Sequence, residues 1–479
     1  MDNLQNIIGL ALAIFYWIII ALVTLSVAAR RKPVSVTLAW LLVIYIIPVV
    51  GVLVYLLIGE SNLGRKRAMK AKEMVQPYLQ KLHTPFPADL RLPGGESAYA
   101  INQLLTTQAG ISAQNYQSME LMRTPDMIFD RLCADVRAAE QCIQIETYIW
   151  YPGGRVDELS YALIDAASRG VQVSLLIDHA GSRRFFGSVW CKRMTDAGIR
   201  VVPALPVRLL RALAHRVDLR LHRKLIVIDD HIAFSGSMNI ADPACFKRNA
   251  NVGPWIDMML RVSGQAAAGL GKVFSWDWEV ETGERRLPDS MPASGPLDQW
   301  LLIIPSGPGV NDDLIGQAVL TGIYRANTSI VISTPYFVPS EAIFNALCQA
   351  AQRGVKVQLL LPKRNDSLMV GWASRSYFEI LLKAGVEIFL FDGGLLHTKA
   401  MLMDNEFALV GSVNLDIRSL QLNFELTVAL LTPASCEHVR DMLLDYQAQS
   451  EPLLLERWQE RKRAARTVER LMYFMSPLL

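Results

Sequence analysis

Two stretches near the start of the chain, residues 7–29 and 36–58, contain no charged residue at all. Each exceeds the roughly 20 residues that a helix needs to cross a bilayer. The pattern therefore predicts a transmembrane hairpin over residues 1–60, with Arg30, Arg31, Lys32 and Pro33 in its turn. Trp17, Trp40, Tyr45 and Tyr55 are candidate interface anchors, and Pro48 and Gly51 are expected to kink the second span. The first stretch is too long for the apolar core of a cleaved signal, and a second span follows at once. Arg65, Lys66, Arg67, Lys70 and Lys72 follow the hairpin and outnumber the three cations in its turn, which favours a cytoplasmic body.

Beyond a basic segment and linker over residues 61–110, with Pro85, Pro87, Pro93, Gly94 and Gly95, the pattern changes to strands alternating with amphipathic helices. It does so twice. Residues 143–150 read as a strand and 157–169 as a helix, with Leu159, Ala162, Leu163, Ala166 and Ala167 on one face and Gly170 at its end. In the second half, residues 330–333 read as a strand and Ser340 as an N-cap. Ile343, Ala346, Leu347, Ala350 and Ala351 then form the same stripe before Gly354. The expected fold is α/β: two similar halves, 111–285 and 301–479, with largely parallel sheets around a shared active site. A Pro- and Gly-bearing joint lies over 286–300, extending back towards Glu281.

The 51% hydrophobic content is concentrated in the N-terminal hairpin, and Lys+Arg 48 against Asp+Glu 45 gives a net charge of only +3. That balance does not argue for a nucleic-acid partner of the whole chain. Basic residues do cluster locally with apolar ones. Arg208, Arg211, Arg216 and Arg220 alternate with leucines, and Arg461, Lys462, Arg463, Arg466 and Arg470 precede Leu471, Tyr473 and Phe474. Both are candidates for an anionic membrane surface. Cys133, Cys142, Cys191, Cys245, Cys348 and Cys436 are scattered, with no zinc-ligand spacing.

The chemistry sits in a motif that also occurs twice. His222, Lys224 and Asp229 precede Gly236-Ser237-Met238-Asn239; His397, Lys399 and Asp404 precede Gly411-Ser412-Val413-Asn414, in the same register. In an extended segment residues i and i+2 share a face, so each His and Lys are expected to point into one cleft. The Asp, an odd step further on, marks a turn into the returning strand, and capping that turn is its expected role. The returning strand delivers the Gly-Ser-x-Asn group, so Ser237, Asn239, Ser412 and Asn414 are candidate phosphate donors. Asp257 and Glu425 follow the two motifs and are candidates to hold a histidine tautomer by accepting Nδ1–H. Two histidines on opposite sides of one phosphorus supply a nucleophile and a general acid. Lys224 and Lys399 would neutralise the phosphate oxygens. No carboxylate cluster calls for a metal, and no GxxxxGK[ST] loop for a nucleotide.

These HxKx4D and GSxN motifs resemble the phospholipase D superfamily. The hairpin, Tyr148 to Gly154, Thr334 to Ser340, Val370-Gly371-Trp372-Ala373-Ser374-Arg375, Gly393 to Lys399 and the terminal residues 474–479 resemble its bacterial cardiolipin synthase branch. The resemblance implies a phosphatidyltransferase that joins two phosphatidylglycerols into cardiolipin and glycerol through a phosphohistidine, without a cofactor. It also implies a multi-pass protein of the bacterial inner membrane. His222 resembles the nucleophile and His397 the general acid/base, in a catalytic set of His222, Lys224, Asp229, His397, Lys399 and Asp404, although the near symmetry of the halves leaves the order open. Hydrolysis by water, or transfer to another alcohol, would use the same site.

Overall fold

The computed structural model describes residues 2–29, 34–59, 73–75, 77–78, 95–206, 219–286, 295–296, 298–310 and 313–476. The turn cations Arg30 to Lys32, the basic run 65–72, the linker prolines and Arg208, Arg211 and Arg216 lie outside them.

The first apolar stretch forms one helix, Asp2–Ala29. The second is split: Val34–Ile46 and Pro48–Ile58 are separate helices, broken where Pro48 lacks the N–H a continuous helix would need. Among the described residues one helix, over Asn6–Ala29, is long and apolar enough to cross a membrane. Trp40 and Tyr55 do not face outward as anchors. Their rings meet edge to face at 5.2 Å inside the hairpin, where both are buried, while Trp17 and Tyr45 are exposed.

Each half is built on a mixed sheet. In the first, the strand order is Met119–Met122, Met259–Ser263, Ile232–Gly236, Leu225–Ile228, Cys142–Thr147, Gln172–Asp178, Arg200–Ala204. In the second, Glu425–Leu430, Phe407–Gly411, Ala400–Met403, Ser329–Ser333, Lys356–Pro362 and Glu387–Phe391 follow in the same order, extended by three flanking strands. Only the last three strands of each series run parallel; the motif strands pair antiparallel. The expectation of largely parallel sheets is thus corrected. The cause is local: Asp229-Asp230 and Asp404-Asn405 take positive φ, which Asp and Asn tolerate, and this folds each motif strand back on itself.

The helices follow from their caps. Thr124, Ser340 and Thr432 each accept a backbone N–H from the first turn, and Gly170 and Gly354 take positive φ just beyond Arg155–Ser168 and Glu341–Gln352. Helix Gln265–Thr282 is buried throughout from Ala266 to Glu279, because it lies against strands of both sheets. A Cβ at Gly269 would come within 2.7 Å of Ile303 Cδ1, so glycine permits that approach. Segment 95–115 joins the second half, with Gln114–Asn115 pairing on Trp300–Leu301 and helix Gly95–Ala109 packing on helix Leu314–Arg325.

One buried cation ties the halves together. The Arg223 guanidinium pairs with Asp277 on the central helix and donates to the carbonyls of Glu425 (3.0 Å) and Ser306 (3.2 Å). Removing it leaves the Asp277 charge and two carbonyls without this partner in the interior. Arg223→Ala is therefore expected to cost about 3–5 kcal/mol, read as a lower denaturation midpoint of the detergent-solubilised protein. An unchanged midpoint would contradict this role.

Candidate active site

The histidines are placed by short backbone pairings between the halves. Leu221 bridges Phe424; the His222 N–H donates to the Phe424 carbonyl at 2.9 Å and the Phe424 N–H to the Arg220 carbonyl at 3.0 Å. The second half mirrors this. Trp255-Ile256 pairs parallel with Leu395-Leu396, and the His397 N–H donates to the Ile256 carbonyl at 2.8 Å. Each histidine segment thus lies beside the carboxylate-bearing segment of the other half, and the side chains follow. His222 Nδ1 bonds Glu425 at 2.8 Å, and His397 Nδ1 bonds Asp257 at 2.7 Å. Asp257 and Glu425 had been expected to hold a histidine; the structure adds that the exchange is crossed.

The serines support these carboxylates. Ser412 Oγ donates to Glu425 at 2.5 Å and Ser237 Oγ to Asp257 at 2.6 Å, while each oxygen accepts the N–H of the residue after the carboxylate. They are therefore not the direct phosphate donors suggested by the motif, since their protons are already committed. Asn239 and Asn414 do line the cleft. Asn239 Oδ1 accepts the Ile149 N–H, and Asn414 Nδ2 donates to Ser419.

Asp229 and Asp404, grouped with the catalytic residues by their motif, lie at the far ends of the strands. The Asp229 carboxylate accepts the N–H groups of Glu140, Gln141 and Cys142, and Asp404 those of Asn327, Thr328 and Ser329. They clamp the entry to the neighbouring strand and do not reach the histidines. Lys224 and Lys399 sit just beneath the cleft surface, each donating to its own histidine's carbonyl, at 2.6 and 2.5 Å.

His222 and His397 open on one cleft of about 920 Å³. Among the described residues Arg183, Arg184, Arg220, Lys247, Arg248 and Arg418 line it, against one carboxylate, Asp416, so it suits an anion. Arg220, two residues before His222 on an extended segment, shares its face and lines this cleft. Tyr148 packs on His222 with centroids 5.1 Å apart, and Trp255 on His397 at 4.4 Å. Alternation about the histidine was the signal that could have singled out Arg220. Arg418 and Lys247 come from loops and a short helix that the motif does not reach.

Burial pushes both imidazoles down to about 4; the paired carboxylates oppose this, and the lysines add to it. Both rings are then neutral at pH 7, each donating Nδ1–H to its carboxylate and keeping a free lone pair on Nε2. Burial would raise Asp257, but His397 and Lys399 outweigh it and hold it at about 2; Glu425 is likewise lowered, burial being outweighed by His222 and Lys224. Burial brings Lys224 down to about 8 and Lys399 to about 7.

Two α/β halves whose HxK histidines converge on one cationic cleft are the architecture of a phospholipase D-like enzyme. The chain belongs to the family described as cardiolipin synthase, PLD-like domain, whose model matches residues 132–278 and 319–445. A phospholipase D-nuclease N-terminal family model matches residues 11–60. The chain is 44% identical over 487 residues to cardiolipin synthase A of Cronobacter sakazakii (strain ATCC BAA-894) and 44% identical over 489 residues to that of Klebsiella pneumoniae (strain 342), covering 100% of both chains in each case. The crystal structure of phosphatidylserine synthase from Haemophilus influenzae Rd KW20 shares the fold, with a TM-score of 0.58 at 14% identity over 79% of this chain and 99% of that one.

The charges set a pH dependence. A nucleophilic His222 must be neutral, so at saturating lipid, where the bound anion favours a proton on His397, kcat should rise as pH increases through about 4. The ratio kcat/KM should fall as Lys399 loses its proton near 7 and Lys224 near 8. Lys399→Met should lower kcat/KM and abolish the limb near 7. An alkaline limb unmoved by that substitution would exclude Lys399 as its source.

Proposed function

We propose that the protein makes cardiolipin and glycerol from two molecules of phosphatidylglycerol, through a phosphatidyl-histidine. The observation that carries this reading is the crossed pair of histidines on a single cationic cleft, in a chain 44% identical along its whole length to cardiolipin synthases A. Fold likeness alone would not distinguish among phospholipase D-like chemistries.

In this mechanism His222 Nε2 attacks the phosphorus of the first lipid, and the glycerol oxygen leaves with a proton from His397. Entry of the phosphodiester anion offsets the lysine charges and favours the protonated ring of His397. His397, now neutral, takes the proton of a headgroup hydroxyl on the second phosphatidylglycerol. That oxygen attacks phosphorus, the P–N bond breaks, and cardiolipin leaves with His222 restored. Glu425 and Asp257 hold the two rings by their Nδ1–H groups, and the Lys224 and Lys399 ammonium groups oppose the charge on the non-bridging oxygens. Asn239 and Asn414 orient the phosphate from the cleft wall. One phosphodiester replaces another of similar energy, so the covalent histidine carries the bond between half-reactions and no nucleotide is called for.

The apolar N-terminal helices support action at a membrane, and we read them further as two spans in a bacterial inner membrane with a cytoplasmic body. Purified protein given phosphatidylglycerol alone should yield cardiolipin and glycerol; phosphatidic acid as the main product would instead identify a hydrolase. His222→Ala and His397→Ala should each lower turnover by about three orders of magnitude or more, since residues acting as a unit fail together. Rapidly quenched wild-type enzyme should carry labelled phosphatidyl on His222, and a label on His397 would reverse the assignment.

A further inference from the structure

Because the halves repeat one scaffold, a feature found in one alone is not required by that scaffold. Helix Leu368–Ala384 is such a feature. It runs unbroken for 17 residues into an Ala-Gly turn, whereas the first half reaches its matching Ala-Gly turn through two short helices, Arg183–Phe186 and Val189–Asp196, parted at Gly187-Ser188. The N-terminal turns of Leu368–Ala384 carry Leu368, Met369, Val370, Trp372 and Arg375. Leu368 is 72% exposed, Met369 48% and Trp372 39%, although a helix built only for packing turns such residues inward. Val370 reaches the catalytic cleft.

Against these turns lies a second cavity, of about 320 Å³, separated from the catalytic cleft by residues 248–252, Tyr336 and Val370. Phe378, Leu390 and Trp458 give it an apolar lining, while Lys363, Arg364 and Arg375 give it charge. Where the second half has Lys363 and Arg364, the first has His179 and Ala180, as the matching bonds His179 N–H to Ala204 and Lys363 N–H to Phe391 show. Lys363 and Arg364 share Asp392, at 2.8 and 3.7 Å; Arg375 makes no ion pair among the described residues. The cavity is on His397's side of the active site. His397 packs on Trp255, Lys247 lies 5.1 Å over Trp255, and Lys247 reaches Asp366 at 3.0 Å, in the loop that also bears Arg364.

Resting on the cardiolipin reading, we propose that this cavity is the acceptor-lipid site, binding the phosphate of an anionic glycerophospholipid through Arg375 and Arg364 while its acyl chains lie over Leu368, Met369 and Trp372. An acceptor phosphatidylglycerol differs from water or a small alcohol in possessing a phosphate and acyl chains. Its attacking hydroxyl is one short glycerol away from that phosphate. A cationic and apolar pocket next to the general acid/base therefore favours transfer to lipid over hydrolysis. The surface is continuous with apolar structure elsewhere. Helix Arg463–Met475 packs on Leu368–Ala384 through Tyr473 and Tyr377, exposes Leu471 and Phe474, and touches helix Val34–Ile46.

The test uses the full-length protein in mixed micelles of detergent and labelled phosphatidylglycerol, with ethanol as a competing small acceptor. Cardiolipin, phosphatidic acid and phosphatidylethanol are resolved together. Arg375→Gln and Trp372→Ala should each lower cardiolipin formation about tenfold and raise half-saturation in phosphatidylglycerol, the loss expected for one charge-assisted contact or one buried ring. Phosphatidylethanol formation should stay within about twofold. Arg375→Lys should restore most of the cardiolipin yield. An equal loss of all three products, or a cardiolipin yield unchanged in both variants, would overturn the acceptor site. Wild-type enzyme forming phosphatidylethanol but no cardiolipin would instead overturn the functional reading on which it rests.

Discussion

The crossed exchange between histidines and carboxylates is the constraint on which the site depends. Glu425 of the second half holds His222 of the first, and Asp257 of the first holds His397 of the second. Neither half by itself has a histidine with its partner. Each carboxylate is buried, and a buried charge without a partner is strongly unfavourable. Docking of the halves, formation of the tautomers and assembly of the cleft are therefore one event. Arg223 belongs to the same logic: its guanidinium reaches the carbonyl of Glu425 and the carboxylate of Asp277, so the interface that positions the carboxylates is itself charge-matched.

The same burial tunes the chemistry. In water an imidazole divides its time between charged and neutral forms near neutral pH. Beneath this cleft, desolvation and two nearby ammonium groups push it to the neutral form. A ring in that state, held by Nδ1–H, presents a lone pair on Nε2. Among the described residues six cations line the cleft wall, and their potential favours an anion there.

Symmetry in the backbone does not extend to the walls. Arg220, beside His222, corresponds to Leu395, which is fully buried in a cluster with Trp255 and Phe246. The broken pair of helices Arg183–Phe186 and Val189–Asp196 corresponds to the continuous Leu368–Ala384 with its exposed apolar turns. A reaction with two chemically similar halves uses two similar histidine sites, but its donor and acceptor arrive differently.

Much of this was legible in the amino-acid sequence because it is written locally. Charge-free runs, the Ser340 cap, the glycines after two helices and the HxK register each depend on residues a few positions apart, where helix and strand periodicity governs. The doubling of the motif indicated that two histidines meet. Other features depend on pairings across more than 100 residues, which no periodicity records. Which carboxylate holds which histidine came from the contact of 220–222 with 423–425 and of Trp255-Ile256 with Leu395-Leu396. That Ser237 and Ser412 serve the carboxylates, that Asp229 and Asp404 hold backbone at the far ends of their strands, and that Trp40 and Tyr55 turn inward were likewise decided by packing. The sequence by itself determined the repeated elements and the chemical groups they carry, since both follow from local pattern. Only the tertiary structure decided their partners, because the cost of burying a charge or a polar group is set by what lies across the interface.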